Sequence, residues 1–385
     1  MLTTFVLLFC IVWLLIYAYL LFATRWLPRF ERFAPPAPAS WPRLSVLVPA
    51  CNEAEHIEAA TRSLMQQDYP DLEIILINDR SSDETGTIIN KLAAEDERIK
   101  AVHINQLPAG WLGKVHALHQ GKQQATGDWL LVTDADIYYA VGLLRKAVAY
   151  SIYNDIDHLT LLPDVLLDNF WLEVAVSSFG LLFLLTTRAI QVNKVDSTAI
   201  IGIGAFNLVK RETFDNTPGF EWLRLEVVDD LGVGYMINKA GGQTHFALAH
   251  QDLSLAWYDS LASMFRGLEK NLFGAGAHYR WWVSAIQVSL LWALLAAPIM
   301  GLTSDSPLLI TAGVLVVAAQ ILFSLFCIRD KRSETWRLLF FPLGMFMLSL
   351  MMLWSAYHCL ISGGIDWRGT RYSLKELREG QRVKL

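Results

Sequence analysis

Trp129-Leu130-Leu131-Val132-Thr133-Asp134-Ala135-Asp136 is the stretch that decides how this chain reads. Four apolar residues that suit a buried strand run into two carboxylates one residue apart, and an open, aromatic-rich segment follows. Carboxylates so placed at a strand end can hold a divalent cation against a diphosphate. Surface turns also use aspartate freely, so the pair draws its weight from its neighbours. Upstream lie Val48-Pro49-Ala50-Cys51-Asn52-Glu53, then Ile77-Asn78-Asp79-Arg80-Ser81-Ser82-Asp83, then Trp111-Leu112-Gly113-Lys114. Downstream come Gly202-Ile203-Gly204-Ala205-Phe206-Asn207 and Asp229-Asp230.

Around these motifs the polar part of the chain alternates between two periodicities. Short apolar runs at 44–48, 72–77, 99–104 and 129–132 read as strands, and helical patterns fall between them at 55–67, 85–97 and 114–125. That alternation predicts an α/β domain with a mostly parallel sheet and helices on both faces. Ligands of such sheets bind beyond the carboxyl ends of the strands. Asn52, Glu53, Asp79, Asp83 and the Asp134/Asp136 pair fall at or just past those ends, which places them on one rim. Structural uses compete at each position. Ser81, Ser82 and Asp83 suit an N-cap before Thr85. Lys114 opens a helix, where its ammonium and the helix N-terminus would both face an anion, or it is a solvated surface lysine. Asp229-Asp230 precede a helical pattern over 231–240, where acidic residues also complement the helix dipole.

Composition divides the chain. It has 385 residues, of which 54% are hydrophobic and 18% charged, and a mean hydropathy of +0.33, which is too apolar for an ordinary soluble domain. Residues 2–22 carry no charge and are long enough to cross a bilayer. A cleaved signal peptide is the alternative, but no basic n-region or small-residue cleavage site frames the run. Further uncharged runs at 283–302, 307–328 and 338–365 could each span. The expected organisation is an N-terminal anchor at 1–24, a basic and proline-rich linker at 25–43, and a catalytic domain at 44–260. An interfacial amphipathic helix at 261–282, transmembrane helices within 283–365 and a basic tail at 366–385 follow. The apolar stretch 170–190, interrupted by Glu173, reads as a docking or core helix. Arg25, Arg29 and Arg32 flank the anchor and favour the cytoplasmic side for the domain. A net charge of -5 gives no basic footprint for nucleic acid. Three of the four cysteines fall in apolar runs and the fourth, Cys51, in a cytoplasmic loop, which argues against disulfides and a zinc cluster.

In their order, these motifs resemble the family 2 glycosyltransferases over roughly 44–253. The likeness is to membrane-anchored bacterial lipid and isoprenoid glycosyltransferases of the ceramide glucosyltransferase-like and hopanoid- or carotenoid-associated kind. The resemblance implies a Rossmann-like nucleotide-diphospho-sugar transferase (GT-A) domain and an inverting reaction with a Mg2+ or Mn2+ cofactor. It implies donor binding by Pro49, Asn52, Glu53, Asp79, Lys114 and Asp134. Asp136 would coordinate the metal directly, with Asp134 on the ribose or a metal-bound water. His250 is a possible further ligand, or a strand-end histidine with one backbone contact. Asp230 matches the aspartate of the family's Glu-Asp motif and becomes the candidate base, with Asp229 in the glutamate position. Gly204 would lie beside the acceptor.

The processive members' Gln-x-x-Arg-Trp element has its counterpart in Ala277-His278-Tyr279-Arg280-Trp281, where Arg280 and Trp281 are present and the glutamine is missing. Trp367-Arg368-Gly369-Thr370-Arg371-Tyr372 is similar to a Trp-Gly-Thr-Arg type element of membrane-bound relatives, with Arg368 inserted. Six basic residues from Arg368 to Lys384 favour a cytoplasmic tail, yet three full C-terminal spans would leave that tail outside. Either the run at 338–365, which holds Pro342 and Gly344, does not cross, or the charge rule fails here. The expectation is an inner (plasma) membrane, multi-pass enzyme with a cytoplasmic catalytic domain, the bilayer being part of its environment. It would move one sugar from a nucleotide-diphosphate donor, expected to be UDP-linked, to a membrane lipid or isoprenoid hydroxyl. A processive polysaccharide synthase is the rival enzyme. A catalytically silent nucleotide- or lipid-binding membrane protein is the rival outside enzymes.

Overall fold

The computed structural model describes residues 1–329 and 335–384, so 330–334, within the expected transmembrane region, and Leu385, at the end of the tail, lie outside the described residues. Two compact units account for the fold. One is an α/β unit made of Pro28–Leu166, Thr187–Trp257 and Asp366–Leu385; the other is helical and made of Met1–Leu27, Leu167–Thr186 and Tyr258–Ile365. Relative to the linear organisation, the segment 167–186 falls in the helical unit, while most of the expected linker, from Pro28, and the basic tail, from Asp366, are built into the α/β unit.

In chain order the strands of the α/β unit are β1 (Leu44–Ala50), β2 (Leu72–Asp79), β3 (Ile99–Ile104), β4 (Trp129–Val132) and β5 (Ile137–Tyr139). They continue with β6 (His158–Leu162), β7 (Asp164–Val165), β8 (Asn207–Lys210), β9 (Thr244–Leu248) and β10 (Leu253–Leu255), and a separate two-stranded hairpin, Gly364–Trp367 with Thr370–Ser373, opens the tail. Seven of them form one sheet in the order β3-β2-β1-β4-β8-β6-β9, and β5, β10 and β7 form a smaller one. All pairs in the large sheet are parallel except those of β8, which runs antiparallel to β4 and β6. Val46, Leu47, Val48 and the run Ile74 to Ile77 are almost wholly buried. These strands are covered on both faces, which is why they read as continuous apolar runs without alternation. Pro49 is tolerated because β1 pairs with β4 only as far as Leu47↔Val132, so the missing N–H falls beyond that pairing. The helices Ile57–Met65, Thr85–Glu95 and Gly113–Gln124 fill the crossovers, each beginning or ending within two residues of its expected bounds.

Among the described residues, four helices are long and apolar enough to cross a membrane: Leu2–Trp26, Trp281–Leu302, Pro307–Cys327 and Arg337–Ser362. Within the helical unit, Pro298 has no N–H to offer the carbonyl of Leu294 one turn earlier. The Trp13 indole donates to that same carbonyl at 2.7 Å, as a backbone acceptor removed from water requires. Gly301 and Gly313 let neighbouring helices meet at backbone distance, since a Cβ on Gly301 would lie 2.8 Å from the Leu309 carbonyl. Gly344 does the same for Phe341–Ser362 against Phe170–Thr186, where a Cβ would meet the Ser178 side chain and, at 2.7 Å, the Val174 carbonyl. The amphipathic helix at 261–282 is shorter than expected. It spans Leu261–Asn271 behind a Ser260/Ser263 capping box, loosens into a π-turn at Leu272–Gly276, and ends where His278 and Tyr279 take left-handed backbone conformations.

Candidate active site

The sheet order places the site. The chain winds outward from β1 through β2 to β3 and then returns to β4 on the other side of β1. The two connections leaving β1 and β4 therefore diverge, and a crevice opens at their carboxyl ends. Asn52 and Glu53 follow β1 there, and Asp134 and Asp136 follow β4.

On the β1 side, side chains lock the loops to one another. The Asn52 carbonyl oxygen accepts from the Ser82 amide at 2.8 Å, and the Asn52 amide donates to Ser81 Oγ at 3.0 Å. Glu53 N–H donates to Thr85 Oγ1 at 2.8 Å. Asp83 accepts from the amides of Thr85 (3.0 Å) and Ala54 (3.1 Å), so it ties the two loops together from one residue ahead of the helix's N-cap, which is Glu84 and not one of Ser81, Ser82 and Asp83. Asp79 is 3% exposed, and both its oxygens are taken by the Arg80 guanidinium at 2.8 and 3.1 Å. A Cβ on Gly113 would stand 2.2 Å from Asp79 Oδ2, so only glycine fits where the helix Gly113–Gln124 begins. Contact between Asp79 and a nucleotide would therefore run through Arg80 or follow its displacement.

The β4 side meets the Asp229-Asp230 motif through one lysine and one glycine. Lys114 Nζ lies 2.7 Å from Asp134 Oδ1 and 3.3 Å from Asp229 Oδ2. Burial alone would lower its pKa, but the carboxylates of Asp134, Asp229 and Asp230 outweigh burial and hold the ammonium charged. The Gly204 carbonyl accepts from the Asp134 amide at 3.0 Å, while its N–H donates to Asp230 Oδ2 at 3.1 Å. A Cβ there would come within 2.5 Å of Asp134 Oδ2. Gly202 is packed tighter still, its absent Cβ 1.9 Å from the Asp230 carbonyl oxygen. Gly202 and Gly204 thus seat the helix Asp229–Lys239, and with it Asp230, against the end of β4. Burial first, then the Asp229 charge, pushes the Asp230 carboxyl up to about 6, with Lys114 opposing. A carboxylate held near neutrality is suited to accept a proton.

Asp136 forms no ion pair with a lysine or arginine among the described residues, and His56 is the cationic side chain that opposes its rise. Burial, then Asp134 and Glu53, push its carboxyl up to about 7, so it gains most from an added cation. No three His, Cys, Asp or Glu side chains converge into a metal cage among the described residues. A Mg2+ or Mn2+ ion that takes one or two carboxylates and completes its shell with substrate phosphates needs no cage. Asp136 and Asp134 fit that mode. His250 sits past β9 with Nδ1 3.3 Å from Asp164 and joins no such ligand group. Arg280 and Trp281 belong to the helical unit, at the start of Trp281–Leu302, with Trp281 exposed.

The returning tail supplies residues that the motif reading had not assigned. Arg368 pairs with Glu53 at 2.6 Å and also donates to the Cys51 carbonyl. Thr370 Oγ1 accepts from Arg80 at 3.1 Å. Glu226, three residues before Asp229 and 1% exposed, accepts from the amides of Arg382 (2.6 Å) and Val383 (2.9 Å). A glutamate three residues ahead of Asp229 and an arginine inside the Trp367 element were the available signals.

Residues 45–231 match the family model for Glycosyl transferase family 2, and this chain carries a domain of that family. Among curated relatives, it is 38% identical to the probable glycosyltransferase YdaM of Bacillus subtilis, over 29% of each chain. It is 37% identical to the GalNAc(5)-diNAcBac-PP-undecaprenol beta-1,3-glucosyltransferase of Campylobacter jejuni, over 25% of this chain and 30% of that one. With the beta-monoglucosyldiacylglycerol synthase of Trichormus variabilis it shares 28% identity, over 52% of this chain and 42% of the relative. The match thus spans less than half the length of each. A solved structure, the mannosyltransferase PcManGT from Pyrobaculum calidifontis in complex with GDP-Man and Mn2+, superposes with a TM-score of 0.56 at 18% identity, over 92% of this chain and 99% of that one. This likeness supports a GT-A-like fold with its apolar helices.

Proposed function

We propose that the protein is a membrane-anchored, metal-dependent inverting glycosyltransferase that moves one sugar from a nucleotide-diphosphate donor, UDP-linked in our reading, to a lipid or isoprenoid hydroxyl. The observation that carries this reading is the junction at Gly204, which ties the Asp134 strand end to the Asp230 carboxylate through opposite sides of one residue. In direct displacement, Asp230 takes the proton of the acceptor hydroxyl as that oxygen bonds to C1 of the sugar. The bond from C1 to the diphosphate oxygen breaks, and the electron pair leaves with the nucleoside diphosphate. Lys114, paired with Asp134 and Asp229, supplies positive charge beside this junction. A divalent cation on Asp136 and Asp134 would neutralise the leaving diphosphate.

The glycolipid and undecaprenol-linked names of the relatives support a lipid acceptor, as do the four apolar helices. Chain connectivity supports a membrane topology. The chain leaves the α/β unit after Trp257 and re-enters it at Asp366. Both pieces of a water-soluble unit lie on one side of a bilayer, so an even number of the intervening helices crosses. We read Trp281–Leu302 and Pro307–Arg329 as a crossing hairpin and Phe341–Ser362 as non-crossing. The last of these packs through Gly344 against Phe170–Thr186, a 17-residue helix that itself leaves and re-enters the α/β unit. Its Ser355 hydroxyl also accepts from the Phe273 amide at 3.2 Å. With the arginines after the anchor, this favours a cytoplasmic catalytic unit and tail at the inner membrane.

Calorimetric titration of UDP-sugars with Mn2+ tests the division of roles. Asp136→Ala should lose metal-dependent donor binding while Asp230→Asn keeps it. Equal loss in the two variants would overturn the assignment.

A further inference from the structure

Arg368 and Gly369 form the two-residue connection between the strands Gly364–Trp367 and Thr370–Ser373. Their φ values are +48° and +75°, both left-handed. Such a turn is usually made by Asn-Gly or Gly-Gly, because a longer side chain in the left-handed region brings its Cβ against the backbone. Here the first position holds an arginine. Its guanidinium leaves the turn, passes 5.8 Å from the Trp367 ring, and reaches the Cys51 carbonyl and the Glu53 carboxylate. Two further non-glycine residues in left-handed conformation, Asn52 at +56° and Arg80 at +55°, sit in the same network. Arg80 donates onward to Thr370 of the tail, and Asn52 lies between the two residues that Arg368 holds. A strained position retained by contacts across three loops points to a function for the side chain that the strain presents.

We propose that Arg368 is a positioning residue of the donor site, tying Cys51 to Glu53 so that the loop 49–53 keeps the shape that receives a nucleoside diphosphate. The inference rests on reading that loop as the donor side. Without the guanidinium, Glu53 would face the neighbouring carboxylates and an incoming diphosphate with its largest counter-charge gone and only the smaller pull of His56 left, and repulsion would turn it away. The rest of the tail does not depend on Arg368. Leu377 and Val383 are almost fully buried, and the amides of Arg382 and Val383 are held by Glu226. Removing the side chain therefore leaves the strap docked.

The turn geometry separates this role from a structural one. Arg368→Gly relieves the left-handed strain while deleting the guanidinium, so the full-length protein in detergent should unfold at an unchanged or higher temperature. Titrated with UDP and, separately, GDP in the presence of Mn2+, it should bind the preferred nucleotide at least about tenfold more weakly than the parent, as loss of a charged hydrogen-bond pair predicts. Arg368→Lys should recover part of the loss, and in a Glu53→Gln background Arg368→Gly should weaken binding less. With a donor sugar, KM should rise while kcat is nearly kept. Parent-like affinity in a folded Arg368→Gly protein overturns this inference alone. A parent that binds neither nucleotide overturns the donor-site reading and the inference with it. Failure of both the Gly and the Lys variants to fold marks a structural residue and also overturns it.

Discussion

Replacing Asp230 by asparagine should make the protein more stable and far less active. Folding takes this carboxyl from 3.8 up to about 6, roughly 2 pH units, and each unit is worth about 1.4 kcal/mol. Ionised Asp230 therefore costs the folded state up to about 3 kcal/mol. Because Lys114 and a solvent-facing edge remain available to it, we expect a gain of about 1–2 kcal/mol on neutralisation. The sign follows from the direction of the shift. Below the unfolded value the group is protonated in both states and no penalty exists. Between that value and 6 the unfolded chain ionises first, so native stability falls as pH rises, and above 6 the penalty is complete. The rise in thermal unfolding temperature from the parent to Asp230→Asn should thus be near zero below about pH 3, grow between there and about pH 6, and be positive and constant above about pH 7. Asparagine keeps an oxygen for the Gly204 amide, so the site should stay assembled while transfer falls by about 10²–10⁴-fold, as expected for loss of a general base. A destabilised variant, or one with more than a tenth of parental transfer, would refute the reasoning.

Three other outcomes are expected. Parental kcat/KM should decline as pH drops below about 6, because the base must be ionised; a profile flat to pH 4.5 would contradict it. Gly204→Ala should cut transfer by about tenfold or more without unfolding the domain, because its new methyl group would press on the movable Asp134 side chain 2.5 Å away; unchanged kinetics would remove Gly204 from the site. In a background without the native cysteines, a cysteine at Asp305, between the proposed crossing helices, should be labelled from outside intact cells. One at the exposed Lys375 should be labelled only after permeabilisation, and external labelling of Lys375 would refute the even-crossing topology.

The first half of the sheet is legible in the sequence because β1, β2 and β4 are parallel strands covered on both faces and read as mostly apolar runs with helical patterns between them, while the edge strand β3, with Lys100 and His103 exposed, is marked by Ile99, Val102 and Ile104. Strands β6, β8 and β9 escape such reading: His158, Asn207 and Thr244 are buried polar residues within them, and His158 finds its partners across strands, in Asn207 and Thr244. The acidic motifs announce themselves by position at strand ends, but Gly204 as the link between Asp134 and Asp230 is visible only once a backbone amide can be seen to reach a side chain 26 residues away. The tail misleads for a related reason. Six basic residues at a chain end read as a solvated segment, whereas Leu377 and Val383 bury themselves and Arg368 crosses 315 residues to meet Glu53. Sequence periodicity carries no record of that separation.

The central claim is transfer of one sugar from a nucleotide donor to a membrane lipid. It is tested most directly by incubating the purified full-length protein in detergent with bacterial lipid extract, a panel of UDP- and GDP-sugars in excess and Mn2+, and weighing the lipid fraction by mass spectrometry. We predict a lipid whose mass rises by a single glycosyl residue, absent with Asp230→Asn. A ladder of repeated sugar masses would instead show a processive synthase, and intact donors with an unchanged lipid fraction across the panel would contradict the account.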